Sequence, residues 1–106
     1  HIEDSITLKD MQGNAVNKLN GAEVYAEAVY TNDNADRKEL TLYMALYDNY
    51  GKLKSVKQRK ETIAAYSTST IKTDGLSADT DSYIKLFLWE DGMKPLYNSI
   101  TIKEAK

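Results

Sequence analysis

The fold is decided by the stretch Tyr83-Ile84-Lys85-Leu86-Phe87-Leu88-Trp89. Aliphatic residues alternate without a break with aromatic and charged ones, and successive side chains of a β-strand point to opposite faces of a sheet. Lys85 marks the outer face, because an ammonium group is rarely buried without a partner. The stretch therefore predicts a central strand with Ile84, Leu86 and Leu88 in the core. Its outer face carries Tyr83, Lys85, Phe87 and the only tryptophan of the chain, Trp89.

Two earlier segments alternate in the same way. The first, Ala22 to Thr31, has an inward face of Val24, Ala26, Ala28 and Tyr30. The second, Leu40 to Tyr47, has an inward face of Leu40, Leu42, Met44 and Leu46 and an outward face of Thr41, Tyr43, Ala45 and Tyr47. Weaker alternation predicts a first strand over Ser5 to Met11, with Ile6 and Leu8, and a last strand over Tyr97 to Ile102, with Ile100 and Ile102 inward.

Turn signals separate these strands. The turn-forming pairs are Gly13-Asn14, Asn20-Gly21, Asp74-Gly75 and Asp91-Gly92. Asp48-Asn49-Tyr50-Gly51 ends with a glycine placed to take a positive φ. The sequence therefore predicts an all-β fold of seven short antiparallel strands, and a two-sheet sandwich fits the strand spacing better than a small barrel.

Length and composition predict an ordinary domain. The 106 residues suffice for one domain over residues 1–106, and because the first residue is His1 and not methionine we expect a module excised from a larger protein. A net charge of −2 gives no argument for nucleic-acid binding, and no apolar run is long enough to insert into a membrane. The absence of cysteine excludes disulfides and thiolate metal sites.

Residue types exclude most kinds of catalysis. The only histidine is His1, so a histidine-based triad or a multi-histidine metal site is excluded. The glycines are isolated and form no phosphate-binding loop. Carboxylate pairs such as Glu90/Asp91 and Asp79/Asp81 could perform acid–base chemistry on a sugar, but such pairs are common in solvated loops. We expect a protein that is not an enzyme and that has no cofactor.

Two polar loops offer oxygen ligands for calcium. One contains Asn32, Asp33, Asn34 and Asp36, and the other contains Asp79 and Asp81. Calcium takes six to eight oxygens, and neither loop matches the helix–loop–helix pattern of calcium sites. Turn formation explains the same residues, so the sequence predicts no metal site.

A basic run follows the Gly51 turn. Its cations are Lys52, Lys54, Lys57, Arg59 and Lys60, and they surround Leu53 and Val56. The run could bind an anionic polymer, or it could be an edge strand whose lysines prevent edge-to-edge aggregation. We favour the edge strand, because no aromatic residue interrupts the run and Glu61 partly offsets its charge.

The predicted outer face of the central sheet is rich in aromatic side chains. If the third, central and last strands are neighbours, one surface carries Tyr43, Tyr47, Tyr83, Phe87, Trp89 and Tyr97, with Lys85 among them. Such a row could stack on the apolar faces of sugars, and Lys85, Glu90 and Asn98 could bind hydroxyl groups. The alternative is that the rings are covered by loops, by a neighbouring domain or by one another.

Several of these segments resemble a family of accessory modules. The resemblance is carried by Leu42-Tyr43-Met44-Ala45-Leu46-Tyr47-Asp48-Asn49-Tyr50-Gly51-Lys52-Leu53, by Tyr83-Ile84-Lys85-Leu86-Phe87-Leu88-Trp89-Glu90 and by Met93-Lys94-Pro95-Leu96. Modules of this kind recur in secreted multi-domain proteins of Gram-positive bacteria, often beside carbohydrate-active enzymes. The resemblance implies a fibronectin type III-like or immunoglobulin-like sandwich and an extracellular or cell-surface setting.

Two functions are compatible with this sequence. The chain could be a structural spacer or packing partner for neighbouring domains of the same chain, or a carbohydrate-binding module that stacks a polysaccharide on Trp89, Tyr43, Tyr47, Tyr83, Phe87 and Tyr97 beside Lys85. We favour the spacer, because few polar side chains accompany the rings. Rings packed under other groups would favour the spacer, and a row of exposed rings would favour sugar binding.

Overall fold

The computed structural model of the protein describes residues 5–19, 21–78, 82–90, 94–95 and 100–103. Seven strands of four residues or more and two short segments of two residues make up the regular structure in these ranges. They are β1 Ser5–Asp10, β2 Glu23–Thr31, β3 Lys38–Asp48, β4 Leu53–Ile63, β5 Thr68–Lys72, β6 Leu76–Ser77, β7 Ser82–Glu90, β8 Lys94–Pro95 and β9 Ile100–Lys103. No helix in the described part is long and apolar enough to cross a membrane.

The strands form two antiparallel sheets. The first sheet has the order β1-β2-β5, and β6 also pairs with β2. The second sheet has the order β4-β3-β7, and both β8 and β9 pair with the far side of β7. The predicted all-β, seven-strand antiparallel sandwich is confirmed, and β7 is an inner strand of its sheet.

The core lies between the two sheets, and the alternation of β2, β3 and β7 defines it. Ile84, Leu86 and Leu88 are completely buried. Every inward residue predicted for β2 and β3 is buried as well: Val24, Ala26, Ala28, Tyr30, Leu40, Leu42, Met44 and Leu46. The side chains of Ile100 and Ile102 lie outside the described residues, although their backbones pair with Leu86 and Ile84.

β4 extends beyond the basic run and ends at Ile63, whose side chain is completely buried. A turn follows, in which Tyr66 takes a φ of 55°. The last described strand, β9, runs from Ile100 to Lys103. Tyr97, at which the sequence predicts this strand to begin, lies outside the described residues.

Two turns share one local design, in which an aspartate precedes a glycine by three residues. The Asp48 carboxylate accepts hydrogen bonds from the N–H groups of Tyr50 and Lys52, both at 2.9 Å, and Gly51 takes a φ of +85°. The bond from Lys52, followed by that from Tyr50, holds the pKa of Asp48 below its ordinary value. The predicted positive φ at Gly51 is therefore confirmed.

The same arrangement is present after β1. The Asp10 carboxylate accepts hydrogen bonds from the N–H groups of Asn14 at 2.9 Å and Gln12 at 3.0 Å. These bonds, that of Asn14 first, hold the pKa of Asp10 below its ordinary value. Gly13 takes a φ of +86°, so both turns use the freedom of glycine at the same position.

Candidate functional site

The candidate site is the outer face of the second sheet, and the pairing of β3 with β7 builds it. The register places Tyr47 opposite Tyr83, Ala45 opposite Lys85, and Tyr43 opposite Phe87. Residues directly opposite in an antiparallel pair share a face of the sheet. We use the name aromatic face for Tyr43, Tyr47, Tyr83, Lys85, Phe87 and Trp89. These are six of the seven predicted site residues, and the seventh, Tyr97, lies outside the described residues.

The rings at one end of the aromatic face pack edge to face. The Trp89 ring lies with its centroid 5.3 Å from that of Tyr43, and the two planes are inclined by 64°. The Phe87 ring lies 5.9 Å from that of Trp89, at an angle of 67°. Edge-to-face geometry is favourable between aromatic rings because the positive edge of one meets the negative face of the other. The three rings therefore form a cluster and not a flat row.

The rings at the other end stack on each other. The planes of Tyr47 and Tyr83 are only 12° apart and their centroids are separated by 5.1 Å. The ammonium group of Lys85 lies 5.7 Å from the centroid of Tyr47 and 6.0 Å from that of Tyr83. A cation at this distance is attracted by the ring quadrupole. Lys85, predicted to be an outer-face lysine, is thus held by the tyrosines beside it.

The members of the aromatic face are half-buried. Ala45 lies among them on the same face and is only 5% exposed, although it does not belong to the cluster between the sheets. Its burial comes from the larger side chains around it. The aromatic face therefore has a packed layer of its own, separate from the core.

A shallow, open groove of about 280 Å³ crosses the aromatic face. The side chains that line it are Tyr43, Ala45, Tyr47, Leu53, Val56, Phe87 and Trp89. All are apolar or aromatic, and the two contributed by β4 are the most exposed: Leu53 is 52% exposed and Val56 is 46% exposed. The groove is therefore an apolar surface that opens toward β4.

Leu53 and Val56 are members of the site that the sequence did not predict. Strict alternation would place residues three apart on opposite faces of a strand. The β3–β4 register shifts between Leu46 and Tyr47, so that Leu53 pairs with Tyr47 and Val56 pairs with Ala45. This bulge brings both side chains to the aromatic face. In the sequence, the one indication of this bulge is that Leu53 and Val56, the two apolar residues of the basic run, are three positions apart.

Of the three predicted polar partners of the rings, Glu90 lies on the other face of the sheet. Glu90 is paired in register with the buried Leu40 and lies on the opposite face of the sheet from Trp89. Its carboxylate accepts a bond of 2.8 Å from the ammonium group of Lys38, and this bond raises the pKa of Lys38. Asn98 lies outside the described residues. Among the polar side chains considered from the sequence, Lys85 is the one placed on the aromatic face.

The first polar loop is organised by Asn32, which is completely buried. Its amide nitrogen lies within hydrogen-bond distance of the carbonyl oxygens of Asp36 at 2.9 Å, Ile63 at 3.2 Å and Ala64 at 3.2 Å. Its amide oxygen accepts a bond from the N–H of Asn34 at 3.0 Å. These bonds use the Asn32 side chain for the loop itself. In the described ranges no three acidic, histidine or cysteine side chains are grouped as metal ligands would be; Asp79 and Asp81 lie outside them.

The solved structures with a similar fold include two β-glucuronidases. The β-glucuronidase of Bacteroides uniformis aligns with a TM-score of 0.62 and 12% sequence identity. B. uniformis β-glucuronidase 2, covalently bound to cyclophellitol-6-carboxylate aziridine, aligns with a TM-score of 0.60 and 11% identity. In both, the alignment covers 91% of this chain but 12% of the other chain. At such identities the similarity concerns the fold alone, and this chain corresponds to a small part of each enzyme. No family model matches the sequence, and no curated protein is significantly similar to it.

Proposed function

We propose that the chain is a non-catalytic accessory domain of a larger carbohydrate-active protein, and that its aromatic face packs against a neighbouring domain of the same protein. Two solved structures with its fold are β-glucuronidases, of which a similar domain makes up 12% of the chain. The family resemblance of the Tyr83–Glu90 and Met93–Leu96 segments leads in the same direction. The observation that carries the proposal is the apolar groove between half-buried rings and exposed aliphatic side chains.

The ring geometry favours a protein partner over a sugar. A sugar stacks on a ring whose face is open. One face of the Tyr47 ring is covered by the Tyr83 ring and the reverse, and Trp89 packs edge to face against its neighbours. Sugar recognition also needs polar groups beside the rings, and the groove lining is apolar and aromatic. Exposed Leu53 and Val56 instead suit the apolar centre of a protein–protein contact.

The alternative function is polysaccharide binding on the same face. Trp89 and Tyr43 both line the groove, and Trp89 offers the largest stacking surface of the chain. Lys85 would then supply a polar contact at the edge of the rings. The two functions make opposite demands on the groove, because one needs it open to glycans and the other needs it covered by a domain.

The proposal includes a fibronectin type III-like type of sandwich and an extracellular or cell-surface setting in Gram-positive bacteria. The setting rests on the resemblance. The type of sandwich draws support from the strand order, because β4 joins the sheet of β3, β7 and β9 while β1, β2 and β5 form the other. This is how a fourth strand is added to one sheet in sandwiches of the immunoglobulin class.

A cysteine probe in the groove tests the proposal. The chain has no cysteine, so Val56→Cys introduces one thiol whose alkylation rate can be followed by peptide mass spectrometry. We expect the thiol to react quickly in the isolated domain and at least about tenfold more slowly in a longer protein that contains the domain. Thr70→Cys, at an exposed position of β5 in the other sheet, is the matched control and should react at the same rate in both. Equal rates for Val56→Cys in the two proteins would contradict the proposal.

A further inference from the structure

The strand β4 forms one edge of the second sheet, and this edge is a surface distinct from the aromatic face. Among the described residues β4 pairs with β3 and with no other strand, over an interval of eleven residues. The outer side of such a strand presents backbone N–H and C=O groups to its surroundings. β4 contains no proline, which would prevent a further strand from pairing there.

The two faces of β4 carry different chemistry. Leu53 and Val56 lie on the aromatic face and are exposed. Lys57 and Arg59 lie on the other face, in register with Met44 and Leu42. The register also places Lys60 on the aromatic face, opposite Thr41, and Glu61 on the other face, opposite Leu40. A strand added beside β4 would therefore meet two aliphatic side chains and then a cation on one face, and two cations and then a glutamate on the other.

The charge of this edge is opposite to that of the rest of the chain. Residues 52–61 contain five lysine or arginine residues and one glutamate, a net charge of +4, whereas the whole chain carries −2 and the remaining residues therefore carry −6. Arg59 is in contact with Glu61 at 3.1 Å in an exposed pair, which is weak in water. Lys57 has no ion-pair partner among the described residues.

Lysines on an edge strand prevent association with strands of similar charge, including β4 of a second copy, because like charges directly opposite each other are destabilising. They do not repel an acidic strand. The exposed Leu53 and Val56 also distinguish this edge from one that is blocked along its whole length, since they offer apolar surface to a pairing strand.

We propose that the β4 edge accepts an acidic, extended segment of another domain or protein as an added antiparallel strand. Acidic residues of that segment lie opposite Lys57 and Arg59, and its apolar residues lie opposite Leu53 and Val56. Backbone pairing supplies the affinity and the alternation of side chains supplies the selectivity. The inference goes beyond the proposed function, because it concerns backbone pairing at the edge of the sheet, although Leu53 and Val56 take part in both contacts.

A short peptide with the required alternation tests this inference on the chain as it is. The probe is the blocked peptide Thr-Glu-Thr-Glu-Val-Thr-Val. Its glutamates fall opposite Arg59 and Lys57, and its valines fall opposite Val56 and Leu53 when the bulge passes over Lys54, as it does in the pairing of β4 with β3. Amide exchange measured by NMR should show slower exchange in β4 as the peptide saturates. The same peptide with lysine in place of each glutamate should bind at least about tenfold more weakly, because two attractive cross-strand pairs become repulsive.

Charge reversal in the protein supplies the matched control. In the variant with Lys57→Glu and Arg59→Glu, the lysine peptide should now bind more tightly than the glutamate peptide, whereas Lys18→Glu, at an exposed position outside β4, should leave the original preference unchanged.

Three results would overturn the inference. The first is that the glutamate peptide shows no saturable binding. The second is that a glutamate peptide N-methylated at alternate residues binds as tightly as the unmodified one. The third is that a heparin fragment binds as tightly as the glutamate peptide. The last two would indicate a site for anions that needs no strand pairing. If any of these occurs while Val56→Cys is still protected in the longer protein, the edge inference fails and the proposed function stands.

Discussion

Tyr47 and Tyr83 stack face to face across β3 and β7, with ring centroids 5.1 Å apart and planes 12° apart. The two residues are direct cross-strand partners, so the register of the sheet alone brings their rings together. The ammonium group of Lys85 lies 5.7 Å from one centroid and 6.0 Å from the other. This pair fixes one end of the aromatic face.

The stacking predicts an energetic coupling between the two tyrosines. In a double-mutant cycle of Tyr47→Ala and Tyr83→Ala, measured by urea unfolding, we expect a coupling of about 0.5–1.5 kcal/mol, because each single variant already removes the contact. Tyr25→Ala, in β2 of the other sheet, is the control and should be additive with Tyr83→Ala. Additivity in the first cycle would show that the stacked rings contribute no stability beyond their separate burial.

The effect of a leucine-to-alanine substitution on the free energy of unfolding should depend on how deeply the leucine is buried. Leu86 is completely buried, whereas Leu53 is 52% exposed. We expect Leu86→Ala to lower the free energy of unfolding by about 2–5 kcal/mol, because it removes transfer energy and leaves a cavity. Leu53→Ala should lower it by less than about 1 kcal/mol. Similar losses from the two variants, measured by chemical denaturation, would contradict the assignment of faces in β4 and β7.

Exchange of a single buried atom at Asn32 should have a large effect on stability. Asn32→Asp replaces the buried amide nitrogen, which lies near three carbonyl oxygens, with an oxygen. Burial and these carbonyls should raise the pKa of the new carboxyl group, since both disfavour its charged form. A group with a raised folded-state pKa contributes stability at low pH and loses it as the pH rises through that pKa.

We therefore expect Asn32→Asp to be less stable at pH 7 than the wild type by at least about 2 kcal/mol, with a smaller deficit near pH 4. Thermal unfolding at the two pH values measures this. Asn34→Asp, at an exposed position of the same loop whose backbone N–H is bonded, is the control and should be tolerated. A deficit for Asn32→Asp that does not change with pH would contradict the hydrogen bonds assigned to the amide.

The strands could be predicted from the sequence where alternation is strict. In β7 and β3 each residue inside the predicted core is buried, and Lys85 identified the outer face correctly. Two features could not be predicted, and both depend on distant parts of the chain. The shared face of Leu53 and Val56 depends on a bulge against Leu46 and Tyr47. The burial of Asn32 depends on carbonyl groups more than thirty residues away in the sequence.

The Asp48 turn predicts part of the response to acid. Hydrogen bonds from the N–H groups of Lys52 and Tyr50 lower the pKa of Asp48 below its ordinary value of 3.8. A group with a lowered folded-state pKa contributes stability above its unfolded pKa and loses it as the pH falls through the folded value. Asp48→Asn, which cannot titrate, should therefore lose less stability than the wild type between about pH 5 and pH 2.

The Asp10 turn provides a second test of the same reasoning. Its carboxylate accepts equivalent bonds and has a pKa that is also lowered, so Asp10→Asn should reduce the acid sensitivity as well. The double variant should reduce it further, because the two turns are separate. Urea unfolding at a series of pH values measures the slopes. Slopes equal to that of the wild type would mean that these turns contribute nothing to the acid response.

The fluorescence of Trp89 distinguishes domain packing from polysaccharide binding. It is the only tryptophan, so the intrinsic fluorescence of the chain excited at long ultraviolet wavelength reports on the aromatic face alone. Its ring packs against Tyr43 at 5.3 Å and Phe87 at 5.9 Å, and it is half-buried. We expect emission between that of a buried and a fully exposed indole, partial quenching by iodide, and no spectral change when β-glucan, xylan or pectin fragments are added. Trp89→Ala should lower the free energy of unfolding by about 2–4 kcal/mol, because it opens a gap between two packed rings. Trp89→Phe should retain most of that stability, whereas a saturable shift of the wild-type spectrum with any of these glycans would make polysaccharide binding the function of the aromatic face.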